Sequence, residues 1–145
     1  MNKQANPFML TVYHSDQCGN AKNCRYPSVG AGSTPEELKQ LFCYDHTFIR
    51  FKNNYRSIDN FEEVAVAVLD NDNDHSDDPG KWIYVQDIPR LFPGVPCIVY
   101  TSRNHMKQKG KYSPRPRFHV VFLVPALNIP FLLSYARLVS YSVGS

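Results

Sequence analysis

Val64-Ala65-Val66-Ala67-Val68-Leu69-Asp70-Asn71-Asp72 is the stretch on which the fold turns. Its unbroken apolar run, rich in valine, is read as a β-strand over Val64 to Leu69 covered on both faces and central in its sheet. The run ends in two acids at positions i and i+2. Because side chains alternate along a strand, both carboxylates share one face, their attachment points roughly 6 to 7 Å apart on an extended chain. Oxygens so placed suit one or two hard cations, Mg2+ or Mn2+, and metals paired about 4 Å apart can activate a hydroxyl and neutralise a leaving pyrophosphate. A solvated acidic turn is the plainer reading of the same residues. A calcium loop led by Asp70, Asp72 and Asp74 fails, because His75 stands at the required glycine and Lys81 at the bidentate glutamate.

Charge is distributed unevenly around this strand. Residues 61 to 80 carry Glu62, Glu63, Asp70, Asp72, Asp74, Asp77 and Asp78 without a lysine or arginine, whereas residues 101 to 120 carry Arg103, Lys107, Lys109, Lys111, Arg115 and Arg117 without an acid. The first segment suits cations and the second suits phosphates; the net charge of +3 alone identifies no partner. The basic residues fill a connection between two strand candidates, Cys97 to Thr101 and Phe118 to Val124. On the second, Arg117, His119 and Val121 share one face while Phe118, Val120 and Phe122 share the other. Arg117 with paired donors and His119 with a ring nitrogen thus form a face able to bind a triphosphate. A hydrogen-bonded, partly buried role is the alternative for His119. Arg103, Lys107, Lys109, Lys111 and Arg115 are candidate contacts to a nucleic-acid backbone.

Elsewhere, Phe8 to Tyr13 reads as a first strand and His14 to Gly32 as a long polar loop. Thr34-Pro35-Glu36-Glu37 is a helix start, with a capping hydroxyl, proline in the first turn and Glu37 able to reach back; the helix is expected to run to about Tyr44. Phe48 to Lys52 is a short strand candidate, and Asp87 to Phe92 a short helix before Pro93-Gly94. At 145 residues the chain fits one α+β domain. The four cysteines form no CxxC pair, so free thiols are expected over a disulfide framework or a zinc site built from His14, Cys18, Cys24, Cys43 and His46. The opening residues do not form a signal peptide and the apolar tail is broken by Pro125, Asn128, Pro130 and Arg137, which favours a cytoplasmic protein without a membrane partner.

Asp70-Asn71-Asp72 after an apolar strand, followed later by Arg117-Phe118-His119, resembles the first two motifs of the archaeo-eukaryotic primase superfamily. The phrases LDNDNDHSDDP, FPGVPCIVYTSRNHMK and RPRFHVVF are similar to the primase domains that open primase-helicase proteins of bacterial prophages and mobile elements. The resemblance spans about residues 8 to 124. It implies an RNA-recognition-like sheet with flanking helices and metal-dependent joining of nucleoside triphosphates on a DNA template, alongside a helicase domain or protein. Asp70 and Asp72 would be the Mg2+ or Mn2+ ligands and His119, with Arg117, the nucleotide-binding residues. The family's third carboxylate, on a later strand, has no counterpart, since no Asp or Glu follows His119. A truncated or frame-altered catalytic core is therefore expected, with 126–145 as an atypical tail. A non-catalytic nucleic-acid-binding module of a replication initiator is the main alternative, and a metal-dependent nuclease a third.

Overall fold

The computed structural model describes residues 9 to 123, and the chain divides into two compact units between Ala65 and Val66. The architecture is mixed α and β, with antiparallel sheets and few helices.

In the first unit, β1 (Leu10–His14) pairs antiparallel with β2 (Ser28–Gly32), with Leu10 opposite Gly32 and His14 opposite Ser28. The stretch from His14 to Gly32 is therefore not all loop. Its last five residues, Ser-Val-Gly-Ala-Gly, have weak strand propensity but gain backbone partners from β1. Their glycines also let a helix approach: a side chain at Gly30 would collide with Leu41, and one at Gly32 would lie 3.1 Å from Leu38. That helix, α1 (Pro35–Phe42), starts as its sequence requires. Thr34 Oγ1 accepts from the Glu37 amide, and the Glu37 carboxylate accepts from the Ser33 and Thr34 amides at 2.8 and 3.3 Å. Leu38 is buried, as are Leu10 and Val12 of β1.

Next come β3 (His46–Thr47), which pairs with β1, and β4 (Ile49–Phe51). The latter pairs with β5 (Phe61–Val64), and Arg50 ties them by ion pairs to Glu62 and Glu63. Val64 thus belongs to β5, and the acidic strand begins two residues later than its composition implied.

In the second unit, β6 (Val66–Asn71), β7 (Cys97–Thr101) and β8 (Phe118–Leu123) form an antiparallel sheet in the order β6-β8-β7. The expectation of a central acidic strand is corrected here: among the described residues β8 is central and β6 lies at an edge, with Val68 42% exposed. The register explains why β8 takes the middle. Its Phe118, Val120 and Phe122 supply the core face, packing with Ile88 and Phe92 against Ala67, Leu69, Cys97 and Val99. Ile88 is the first residue of α2 (Ile88–Leu91), entered through a 3-10 turn at Val85–Asp87. Phe92 and Phe122 pack with ring centroids 4.8 Å apart. The predicted starts at Phe8 and end at Val124, and the tail 126–145, lie outside the described residues. No helix among the described residues is long and apolar enough to cross a membrane.

Candidate metal and phosphate site

Alternation along β6 sends Ala67 and Leu69 into the core and Asp70 to the opposite face. Across the sheet, Asp70 is opposite His119, and His119 is opposite Tyr100. The three side chains form a row: His119 Nδ1 lies 3.3 Å from Asp70 Oδ1, and the Tyr100 and His119 rings are 4.9 Å apart. Burial and the negative charge of Asp70 together push the Tyr100 phenol far above its ordinary pKa, so it stays protonated. Asp72 lies one residue past the strand, with its Oδ1 3.4 Å from Arg117 Nη1. Each predicted metal carboxylate is thus paired with one predicted nucleotide-binding residue, Asp70 with His119 and Asp72 with Arg117.

The basic connection between β7 and β8 folds back over the acidic segment, and its members part company. Arg117 is 0% exposed; its Nη1 donates to the Asp72 carbonyl at 3.0 Å and to Asp74 Oδ1 at 2.8 Å, while Nε and Nη2 are enclosed without a hydrogen-bond partner. Arg115, expected as a nucleic-acid contact, is also 0% exposed. All its nitrogens face protein acceptors: Nε the Ser113 carbonyl, Nη1 the carbonyls of Asn73 and Ser76, and Nη2 Asp77 Oδ1 and Ser113 Oγ. Its guanidinium lies between the rings of Trp82 and Tyr112, 5.2 and 5.1 Å from their centroids. A guanidinium so saturated has no donor to offer a phosphate, and that assignment is corrected: Arg115 is a structural strut.

Lys109 reaches across to Asp72, with Nζ 2.9 Å from Oδ2. Partial burial raises the Asp72 carboxyl's pKa, but the hydrogen bond and charge of Lys109, joined by Arg117, outweigh it and hold the group below the usual carboxylate range. Lys111 lies over the Tyr112 ring, and Lys107 and Arg103 are exposed. His105 supports the connection, its Nδ1 3.2 Å from both the amide nitrogen and the carbonyl of Arg117. His75 Nε2 is 2.9 Å from the Lys81 carbonyl.

Asn73 is the residue that sequence reasoning missed. It is buried with φ of 55°, a left-handed conformation that asparagine tolerates better than most residues. Its Nδ2 donates to the carbonyls of Ile83 and Pro116, both at 2.9 Å, and its Oδ1 accepts from the Ile83 amide at 2.8 Å. One side chain thereby pins the acidic loop to the segment after it and to the segment that leads into β8. The alternation Asp-Asn-Asp-Asn-Asp held the available clue, since asparagine is the natural residue for an isolated left-handed turn.

Among the described residues no group of three or more His, Cys, Asp or Glu side chains is placed to hold a metal ion. The four cysteines are free. In comparisons with known proteins, no family model, no curated protein and no solved structure matches the chain.

Proposed function

We propose that the chain carries a primase-polymerase type site for divalent-metal-dependent nucleotidyl transfer, acting on nucleoside triphosphates along a DNA template in the replication of a phage or mobile element. The observation that supports this reading is the direct pairing of Asp70 with His119 across β6 and β8 at 3.3 Å, with Asp72 two residues further along the chain. Under it, the β6-β8-β7 sheet with α2 is part of an RNA-recognition-like core, and a helicase domain or protein is the expected companion in the cytoplasm.

The chemistry of two carboxylates suits Mg2+ or Mn2+. Magnesium is commonly held by one or two carboxylates and completed by water and phosphate oxygens, and Asp72 already carries a cation in the form of the Lys109 ammonium. When bound to Asp70 and Asp72, such an ion would supply charge neutralisation for a triphosphate and polarisation of the attacking hydroxyl. His119 orients Asp70 through Nδ1 and offers its ring to a phosphate oxygen. Arg117, fully buried, braces the acidic loop through the Asp72 carbonyl and Asp74 and acts on a bound anion through its charge.

The test is nucleotide binding with Mn2+ present and absent. Asp70→Asn and Asp72→Asn should each weaken Mn2+-dependent nucleotide affinity by about tenfold or more, which corresponds to roughly 1.4 kcal/mol. Unchanged affinity in both variants defeats the proposal. A second reading, a non-catalytic nucleic-acid-binding module, is favoured by the pairing of Asp72 and Asp74 with Lys109 and Arg117. It requires salt-sensitive DNA binding that survives both substitutions and needs no divalent ion.

A further inference from the structure

The cations around the acidic loop are not equivalent. Arg115 and Arg117 are fully buried, and each donates to backbone carbonyls of the loop, Arg115 to those of Asn73 and Ser76 and Arg117 to that of Asp72. Among the described residues Lys109 makes one ion pair, to Asp72, with its own side chain 43% exposed. It projects from a tight turn in which Lys109 and Tyr112 exchange backbone hydrogen bonds at 3.1 and 3.0 Å, closed by Gly110 with φ of 58°. The ammonium can swing into water without disturbing that turn. An ammonium is also a compact, strongly hydrated charge that regains full solvation outside, unlike a stacked guanidinium.

Charge balance points the same way. Asp72, Asp74 and Asp77 are paired with Lys109, Arg115 and Arg117, so the ion-paired set is neutral. A dication added with Lys109 in place leaves two excess positive charges, with two cations crowding one carboxylate. A dication added with Lys109 withdrawn leaves one, which the nearby Asp70 carboxylate can offset.

We propose that Lys109 is the resident counter-ion of Asp72, an internal cation that holds the carboxylate in position and yields it when a divalent metal is bound. The proposal rests on the metal-site reading above and adds a regulatory consequence to it. Lys109, once released, joins the exposed Lys107 and Lys111 on the same connection, so the surface gains phosphate-binding charge at the moment the metal is loaded.

The experiment is titration of the full chain with Mn2+ alone, read by the electron paramagnetic resonance of free Mn2+, for wild type, Lys109→Gln, Lys81→Gln and Asp72→Asn. Lys81 is an exposed lysine with no ion pair to Asp72, so it controls for net charge. Removal of the competitor should tighten Mn2+ binding about threefold to fivefold in K109Q, the range expected for one exposed ion pair, and leave K81Q near wild type. In parallel, labelling of Lys109 by an amine-reactive reagent should rise when Mg2+ is added to wild type. Should wild type bind Mn2+ and D72N lose it while K109Q matches K81Q, the counter-ion role is overturned and the metal site stands. Should no variant bind Mn2+, K109Q included, the metal site itself falls and the counter-ion role with it.

Discussion

Replacing Asn73 by alanine tests whether the acidic loop is held by one side chain. In N73A the Ile83 carbonyl keeps a longer bond from Asn71 at 3.3 Å, but the Pro116 carbonyl and the Ile83 amide lose the partner Asn73 gave them. At about 1 kcal/mol for each hydrogen bond lost, and somewhat more where a buried group stays unpaired, this costs about 2 to 3 kcal/mol. Alanine must also adopt the left-handed backbone found at φ 55°, which adds about 1 to 2 kcal/mol. The expected loss of about 3 to 5 kcal/mol is a large fraction of the 5 to 15 kcal/mol that holds a typical domain. Trp82, the only tryptophan, reports on this region directly, since its indole N–H donates to the Ser76 carbonyl at 2.7 Å. Urea unfolding followed by its emission should show the midpoint falling by about 2 M for a slope of roughly 1.5 to 2 kcal/mol/M. Asn73→Gly loses the same hydrogen bonds without the backbone penalty, so it should lie about 1 kcal/mol above N73A. A loss under about 1 kcal/mol in N73A, or a glycine variant no better than the alanine one, would refute this account.

Arg115→Lys keeps the charge but cannot supply five donors or stack between two rings, so it should cost about 2 to 4 kcal/mol in the same unfolding assay. Asp77, with a side chain 88% exposed, rehydrates on its own, and the Ser76 carbonyl keeps the Trp82 indole, so most of the loss comes from the Asn73 carbonyl and the lost stacking. A change within about 0.5 kcal/mol, joined to weaker DNA binding, would instead mark a surface contact. In the first unit, hydrogen bonds from the Ser33 and Thr34 amides lower the Glu37 carboxyl's pKa. A group depressed in the folded state stabilises it above its unfolded pKa and loses that contribution as pH falls through the folded value. Amide exchange at Ser33 and Thr34 should therefore show protection that diminishes on acidification below the usual glutamate range, and not in Glu37→Gln; identical profiles in the two proteins would contradict the capping role.

How far the sequence carried depended on whether a feature was local. The capping box at Thr34 and Glu37 and the alternation of Phe118, Val120 and Phe122 follow from spacing along one element, and each is found as spacing requires. The edge position of β6 and the pairing of Ser28–Gly32 with β1 depend on which strands meet, which periodicity does not encode. The arginines divide in the same manner. Spacing puts Arg117 on the face of His119 and leaves Arg115 a candidate nucleic-acid contact, but only the folding back of residues 102 to 117 over the acidic loop turns both inward. Lys109 reads as a nucleic-acid contact from sequence alone because its partner lies 37 residues away in the chain.

Winding the acidic loop around two guanidinium groups, instead of around a bound ion, has a further effect. The loop takes its shape from the polypeptide itself, so the ordering entropy that a slack acidic loop surrenders on capturing a ligand is settled here during folding. Empty and loaded forms should superimpose along residues 72 to 78, with rearrangement confined to the lysine-bearing turn above them.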